Sequence, residues 1–481
     1  MRGSTSTADS GRIVGVLALA GILASVMQTL VVPLIGELPQ ILHTGASNAT
    51  WAITATLLAA AVATPVTGRL GDLYGKKRMM LILLVPLIVG SVVCALAGSL
   101  VPMIIGRGLQ GIGMGIVALA ISLLRDLLPP ERLGSAIALI SASMGIGGAL
   151  GMPISAAVAE QASWRVLFWG AAVLSLLVAV AIWRMVPATP AKAEGRFDPL
   201  GALGLGVALL CLLLGVSKGA DWGWTSGTVL GLFAASLLLL LAWGWWELRT
   251  SDPLVDLRVT ARPQVLLTNA ASIVVGFAMY AQALIVPQLL QLPAATGYGL
   301  GTSMLTAGLA MAPGGLMMML LAPVGGKLTA ARGPKVTLLL GALVIALGYA
   351  SSLLLMGSVW GLVLVGCICN TGVGLAYGAM PALIMGAVPV SETASANSFN
   401  TLMRSIGTSV SSAVVGVVLA QMTIQMGGHT LPSADAFRTG LLIGCGTALL
   451  AAAITLTIPA RRPGRPVERS ETADVPAEAV A

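Results

Sequence analysis

Few side chains in this sequence can do chemistry, because only 9% of its 481 residues are charged. The densest group is GRLGDLYGKKR, Gly68 to Arg78, which holds Arg69, Asp72, Lys76, Lys77 and Arg78. Such a group can cradle a phosphate, anchor a membrane segment, or tie two parts of a molecule together through charge. A phosphate loop needs G-x-x-x-x-G-K-[ST] after a strand. Lys77 stands where the hydroxyl residue is required, apolar segments flank the group, and no Walker A sequence occurs elsewhere. That disfavours ATP-driven chemistry. Asp72 can instead cap a neighbouring helix or pair with an arginine, while Gly68, Gly71 and Gly75 allow close approach and a sharp turn. Arg107, with Gln110 and Gly111, forms a second group, and Asn397, Asn400 and Arg404 a third. Proton transfer needs a group that is alternately protonated and free; Glu37 is the acid best placed to serve, although a rim carboxylate is an equal reading of it.

The elements that must position these groups follow from composition. The chain is 57% hydrophobic with a mean hydropathy of +0.95, against about 45–50% apolar and about 25% charged in soluble domains. Apolar blocks long enough to span a bilayer recur fourteen times, for example 50–69, 79–98 and 101–124. The first block continues to Ile35, longer than a signal-peptide core, and reads as an uncleaved helix. With the N-terminus inside, 21 of the 26 Lys and Arg fall in inside segments and 3 in outside ones. That bias puts both termini in the cytoplasm and accounts for the net charge of +8 without nucleic acid. His43 and His429 lie in outer loops, and the five cysteines lie in apolar spans. No catalytic group, metal site, disulfide framework or cofactor is expected.

The stretch PVTGRLGDLYGKK, from Pro65, has an echo 258 residues later in PVGGKLTAARGPK, from Pro323. Both follow an apolar span, and each span is the second in a block of six. That reads as a parallel repeat of two six-helix halves. The expected organisation is a cytoplasmic N-terminus (1–12), a first half (13–186), a linker with two extra helices (187–264), a second half (265–458) and a disordered cytoplasmic tail (459–481). Arg107 lies roughly 9 Å into span 4 at helical rise, and Arg404 lies near the middle of span 13. A charge at such depth is a functional candidate by default; a snorkelling arginine is the plain alternative for Arg107, and for Arg404 one that faces a helix end or headgroup. Gln28, Asn269, Gln282, Asn400 and Arg404 are candidates to line a substrate cavity, although each can simply satisfy a neighbouring helix.

GRLGDLYGKKR resembles the signature between helices 2 and 3 of the major facilitator superfamily. GRGLQGIGMG, from Gly106, resembles its R-x-x-Q-G-x-G motif, and GIGGALGMPISAA, from Gly145, the antiporter motif of drug exporters. With fourteen spans, the chain resembles the fourteen-helix drug:proton antiporters over nearly its whole length. The resemblance implies that Asp72, Arg69 and Arg78 latch the halves on the cytoplasmic side, with Gly68, Gly75 and Lys76 completing the gating segment. It also implies a proton-coupling role for Arg107, makes Asp72 a second proton-coupling candidate beside Glu37, and implies a leak-limiting role for the helix carrying Gly147, Gly151 and Pro153. Three departures matter. Ala330 stands where Asp72 does in the first half, so the latch should be asymmetric. Met152 and Ser155-Ala156 break the antiporter pattern, so plain packing is as good a reading there. Met27 and Gln28 occupy the place of the family's span-1 acid, leaving Glu37 near the outer mouth.

The expectation is an all-α polytopic protein of a bacterial plasma membrane, with the major-facilitator fold of two six-helix halves plus two inserted central helices. It would be a monomer that exports small amphipathic organic compounds, drugs or antibiotics, in exchange for protons by alternating access. A narrow-specificity exporter of a neutral or anionic metabolite or a self-made antibiotic is the nearest alternative, and a non-transporting receptor or scaffold the more distant one.

Overall fold

The protein is described by a computed structural model covering residues 7–31, 34, 38–44, 46–49, 51–189, 193, 195–426 and 429–459. Glu37, Lys192 and residues 460–481 of the expected tail lie outside the described residues. Within a bilayer every backbone group must find its partner inside the segment, so long apolar runs become helices. Fourteen helices among the described residues are long and apolar enough to cross. The first half comprises α1 (Thr7–Thr29), α2 (Trp51–Tyr74), α3 (Lys76–Leu96), α4 (Leu100–Gly113 and Ile116–Leu127), α5 (Pro130–Gln161) and α6 (Arg165–Met185). The inserted pair is α7 (Pro199–Trp222) and α8 (Gly227–Glu247). The second half comprises α9 (Pro263–Gln291), α10 (Met304–Leu320 and Ala322–Arg332), α11 (Pro334–Leu355), α12 (Val359–Ala387), α13 (Thr393–Gln421) and α14 (Ala434–Thr457). A hairpin of β1 (Thr423–Met426) and β2 (His429–Pro432) joins the last two.

The two halves pack alike. In the first, α1 lies on α5 and α6, and α4 on α2 and α3; in the second, α9 lies on α13 and α14, and α12 on α10 and α11. Each half has its own apolar core. The repeat is exact at the hinge: α2 passes to α3 through Gly75 at φ 93°, and α10 to α11 through Gly333, 258 residues on, at φ 86°. We call the side carrying both glycines the hinge face. Backbone contact is close in each half, since a Cβ on Gly90 would sit 2.5 Å from the Gly106 carbonyl oxygen, and one on Gly341 2.8 Å from that of Gly372. Small residues give lipid-immersed helices this dispersion contact.

The halves meet along two seams related by the same repeat, α2 with α13 and α10 with α5. Gly68 abuts Ser398 of α13, and its repeat partner Gly326 abuts Ser135 of α5. The inserted pair is tied together at Asp198, which caps α7 and accepts from Trp246 Nε1 of α8 at 2.8 Å. It meets the body through α2 and α13, with Lys218 Nζ 5.3 Å from the Trp51 ring centroid.

Two expectations change. GRLGDLYGKKR is not a loop: α2 continues to Tyr74 and α3 begins at Lys76, leaving Gly75 alone as the turn. Arg69, Asp72 and Lys76 fit in helix because they are buried between helices instead of facing lipid. Span 4 is not continuous either, breaking at Met114 and Gly115. A Cβ there at Gly115 would meet Thr67 of α2.

Gly75→Ala should lower thermal stability by about 1–2 kcal/mol, the cost of a Cβ in left-handed backbone. Gly98→Ala, where a Cβ meets nothing within 4 Å, should be near neutral. Thermal unfolding of the two variants in detergent checks the difference.

Candidate functional site

Gly68, Gly71 or Asp72, and Gly75 recur every three or four residues, so they share one face of α2. That face lies on the start of α13. A Cβ on Gly71 would meet Leu119 and approach Ala394, so only small residues let the Asp72 side chain through. Its carboxylate has no exposed surface. Oδ1 accepts from the Ala394 N–H at 3.1 Å and Oδ2 from the Ser395 N–H at 2.8 Å. These are orphan donors of the first turn of α13, whose own N-cap residue Glu392 makes no side-chain cap. A carboxylate of one half therefore caps, and meets the positive dipole end of, a helix of the other.

Lys76 completes the contact. Its buried Nζ lies 2.8 Å from Asp126 Oδ2, 2.9 Å from Thr393 Oγ1 and 3.9 Å from Asp72 Oδ1. Ser122 Oγ donates to the Thr393 carbonyl at 3.1 Å, and Asn397 Nδ2 donates to Ser122 Oγ at 3.2 Å. Arg125 reaches the Val388 carbonyl at 3.4 Å. The hinge face is thus shut along α2, α4 and α13. Arg69 is buried, with Nε unpartnered, beside a cavity of about 240 Å³ that Asp252, Asp256 and Glu392 also line. Arg78 is exposed and joins no hydrogen bond or ion pair among the described residues. Lys76, not Arg78, supplies the cation of this contact. Asp126, Ser122 and Thr393 are partners that sequence reasoning passed over; the acid next to Arg125 at the end of α4 was the available signal.

Arg107 is 1% exposed. Its Nε donates to the Ala52 carbonyl of α2 at 2.8 Å, and one terminal nitrogen to the Met27 carbonyl of α1 at 2.9 Å and to Gln110 Oε1 at 2.6 Å. Gln110 Nε2 in turn donates to Ser91 Oγ of α3 at 2.8 Å. The guanidinium therefore ties α1, α2 and α4 through neutral acceptors, and Gln110 carries the network on to α3. The α5 motif packs on both sides. Gly147 abuts the Ile22 carbonyl and Ser25 of α1, and Gly151 abuts Thr29. Pro153 sits within the helix, 3.5 Å from where a Cβ of Gly308 on α10 would lie.

Three of the five cavity candidates come together in the second half. Asn400 Nδ2 donates to Asn269 Oδ1 at 2.8 Å and to Ser272 Oγ at 2.7 Å. Asn269 Nδ2 is buried without a partner. One turn beyond Asn400, the Arg404 guanidinium lies 4.2 Å from the Tyr377 ring centroid, 7% exposed. No carboxylate pairs with it among the described residues. Gln282 is buried further along α9, toward α12. Gln28 is exposed on α1, its amide 4.0 Å from the Met114 sulfur, and stands apart from the cluster.

The sequence profile of the Major Facilitator Superfamily matches residues 17–412. The "Uncharacterized MFS-type transporter YhcA" of Bacillus subtilis (strain 168) is 26% identical over 331 residues, 68% of this chain and 61% of that protein. The chain thus spans about three-fifths of the length of YhcA. "Multidrug resistance protein Stp" of Mycobacterium tuberculosis (strain CDC 1551 / Oshkosh) is 30% identical over 380 residues, 78% of this chain and 70% of that protein. In fold the chain is similar to the human organic anion transporter MFSD10, with a TM-score of 0.64 at 15% identity over 93% of this chain and 99% of that one.

Arg107→Leu should destabilise the first half by about 3 kcal/mol or more, since it removes three buried hydrogen bonds and leaves Gln110 Oε1 without its donor. Thermal unfolding measures the loss. Arg107→Lys, which keeps the charge and a donor, should recover part of it.

Proposed function

Because the chain belongs to the major facilitator superfamily, we propose that it exports amphipathic organic compounds from the cell in exchange for protons. The hinge face is the cytoplasmic one in this reading, as the lysine and arginine bias favours. The halves, residues 13–186 and 265–458, rock about a substrate held between them, and 187–264 carries the inserted pair. The observation that carries the reading is the Asp72 carboxylate seated on the α13 N-terminus across the two halves. Alternating access requires a contact that is firm in one state and breakable in the other. Hydrogen bonds to a charged group contribute roughly 1.5–3 kcal/mol each, enough to hold a closed face and small enough to release.

Proton coupling follows from the same atoms. An ionised Asp72 serves both amides and the helix dipole. A protonated Asp72 loses the charge that makes these contacts strong, so proton arrival favours opening toward the cytoplasm. Arg107 and Glu37 remain coupling candidates on the opposite side. Arg107 reaches only neutral acceptors among the described residues, which favours a scaffold duty for it. The multidrug-resistance name of Stp supports drugs as the substrate class. A second reading, a narrow exporter of a neutral, zwitterionic or anionic compound, is favoured by Arg404, a membrane-depth cation that has an aromatic ring beside it and no paired acid among the described residues.

In proteoliposomes under an imposed pH gradient, the protein should drive counterflow of at least one compound in a drug panel. Asp72→Asn should slow it roughly tenfold, the loss of about one charged hydrogen bond, and should raise hinge-face labelling of a Ser398→Cys variant. Normal efflux from Asp72→Asn would reduce this element to a topology signal. Arg404→Gln should impair efflux of anionic compounds while sparing cationic dyes; equal transport of both would remove the anionic reading.

A further inference from the structure

On the hinge face, away from the seam between the halves, lies a cavity of about 550 Å³. Arg12 and Ile13 of α1, Lys77 of α3, and Arg184 to Pro187 at the end of α6 line it. Three cations from three helices converge here, and no carboxylate lines the cavity among the described residues. Like charges gathered in one place repel, so the arrangement needs a reason.

The internal repeat separates scaffold duty from the rest. Lys77 Nζ donates to the Trp183 carbonyl at 2.9 Å, capping the C-terminal end of α6. Its repeat partner Lys335, 258 residues on, donates to the Leu456 carbonyl at 2.8 Å and to that of Ile458, capping α14 in the same way. A lysine that closes the sixth helix of its half is therefore common to both halves. The surroundings differ. Lys335 shares its cavity with the carboxylate of Glu131 as well as with Arg125 and Arg332, whereas among the described residues the charged side chains lining the other cavity are Arg12, Lys77 and Arg184, with no acid. Neither arginine makes a hydrogen bond or ion pair among the described residues; Arg184 only approaches the Trp183 ring, 5.9 Å from its centroid. Both are exposed. These two charges do nothing for the fold that the second half does not manage without them.

We propose that Arg12, Lys77 and Arg184 bind the phosphate of an anionic phospholipid in the leaflet at the hinge face. Two guanidiniums present forked donors that match phosphate oxygens, and the lysine adds a point charge. Basic pockets between membrane helices take acidic headgroups in this way. The apolar border favours a lipid over a soluble anion. Ile13 lines the pocket, Met185 is 44% exposed, and Trp183 is 62% exposed, a placement suited to the headgroup level where tryptophan gathers. The bound lipid would bridge α1, α3 and α6, stiffening the first half independently of any transport cycle. The inference does not depend on which compound is moved or on what drives it.

Native mass spectrometry of the detergent-purified full chain, titrated with dioleoylphosphatidylglycerol, tests the proposal. The unmodified protein should retain the lipid in preference to phosphatidylcholine, and retention should weaken as salt is raised. Arg12→Gln with Arg184→Gln should weaken phosphatidylglycerol binding roughly tenfold or more and leave phosphatidylcholine unaffected. The conservative pair Arg12→Lys and Arg184→Lys should restore most of it. Lys335→Gln should reduce thermal stability without changing lipid retention. Equal phosphatidylglycerol binding by the double glutamine variant would overturn the site. So would an equal loss in Lys335→Gln, which would assign the effect to the charge of the whole face. Displacement of the lipid by millimolar inorganic phosphate would make it a soluble-anion site instead.

Discussion

A carboxylate with no exposed surface, accepting two backbone N–H groups from the other half of the molecule, is the contact on which the rest of this structure depends. Burying an ion is costly unless its lone pairs are filled and an opposite charge stands near. Asp72 meets both conditions only because its surroundings are arranged for it. Glycine at 68 and 71 brings α2 against α13, the start of α13 offers its uncapped amides, and Lys76 lies 3.9 Å away while bridging to Asp126. Removing any one of these leaves a charge or a donor stranded. The glycines and the charges of this segment are one device.

The repeat shows what happens without the carboxylate. At the related seam Gly326 still abuts Ser135, and Gly145 and Gly315 still bring α5 and α10 together. With Ala330 and Pro334 in the places of Asp72 and Lys76, no ion pair crosses that seam from α10 or the hinge among the described residues. A cavity of about 800 Å³ opens instead, with Ala330 and Gly333 in its wall. One seam is held by polar chemistry and the other by shape. Shape contacts between small residues can slide with little loss, whereas an ion capping a helix is either made or broken. The two seams are therefore suited to different duties, a switch at α2–α13 and a bearing at α5–α10.

Much of this was legible in the sequence. Span count, the inserted pair and the repeat follow from hydropathy and from Pro65 echoed at Pro323, since apolar length dictates membrane helices nearly alone. Asp72 stands out because it is the one acid in its stretch. The helical state of that stretch does not show, because charged, glycine-rich sequence is turn-like by local propensity, and only burial against α13 keeps it helical to Tyr74. Nor do the partners Asp126, Ser122 and Thr393 show. They sit 50, 46 and 317 residues from Lys76, and no local pattern reaches across such distances. Arg78 and Lys76, two residues apart, exchange roles for the same reason: helical rotation about Gly75 turns one inward and the other to the surface.

The two membrane-depth arginines make the limit sharper. In sequence Arg107 and Arg404 look equivalent, each a cation well inside an apolar span with an amide residue three or four positions away. Their hydrogen bonds separate them. Arg107 donates to two carbonyls and Gln110, so its charge is spent on holding α1, α2 and α4 together. Arg404 rests on a tyrosine ring, and its nearby amides serve each other instead. A cation–π contact offsets only part of the desolvation of a guanidinium. The residual demand for an acceptor is thus concentrated at Arg404, beside the unpartnered Asn269 amide. Depth marks an arginine as unusual, but the unfilled donors around it decide whether it belongs to the scaffold or to whatever the protein carries.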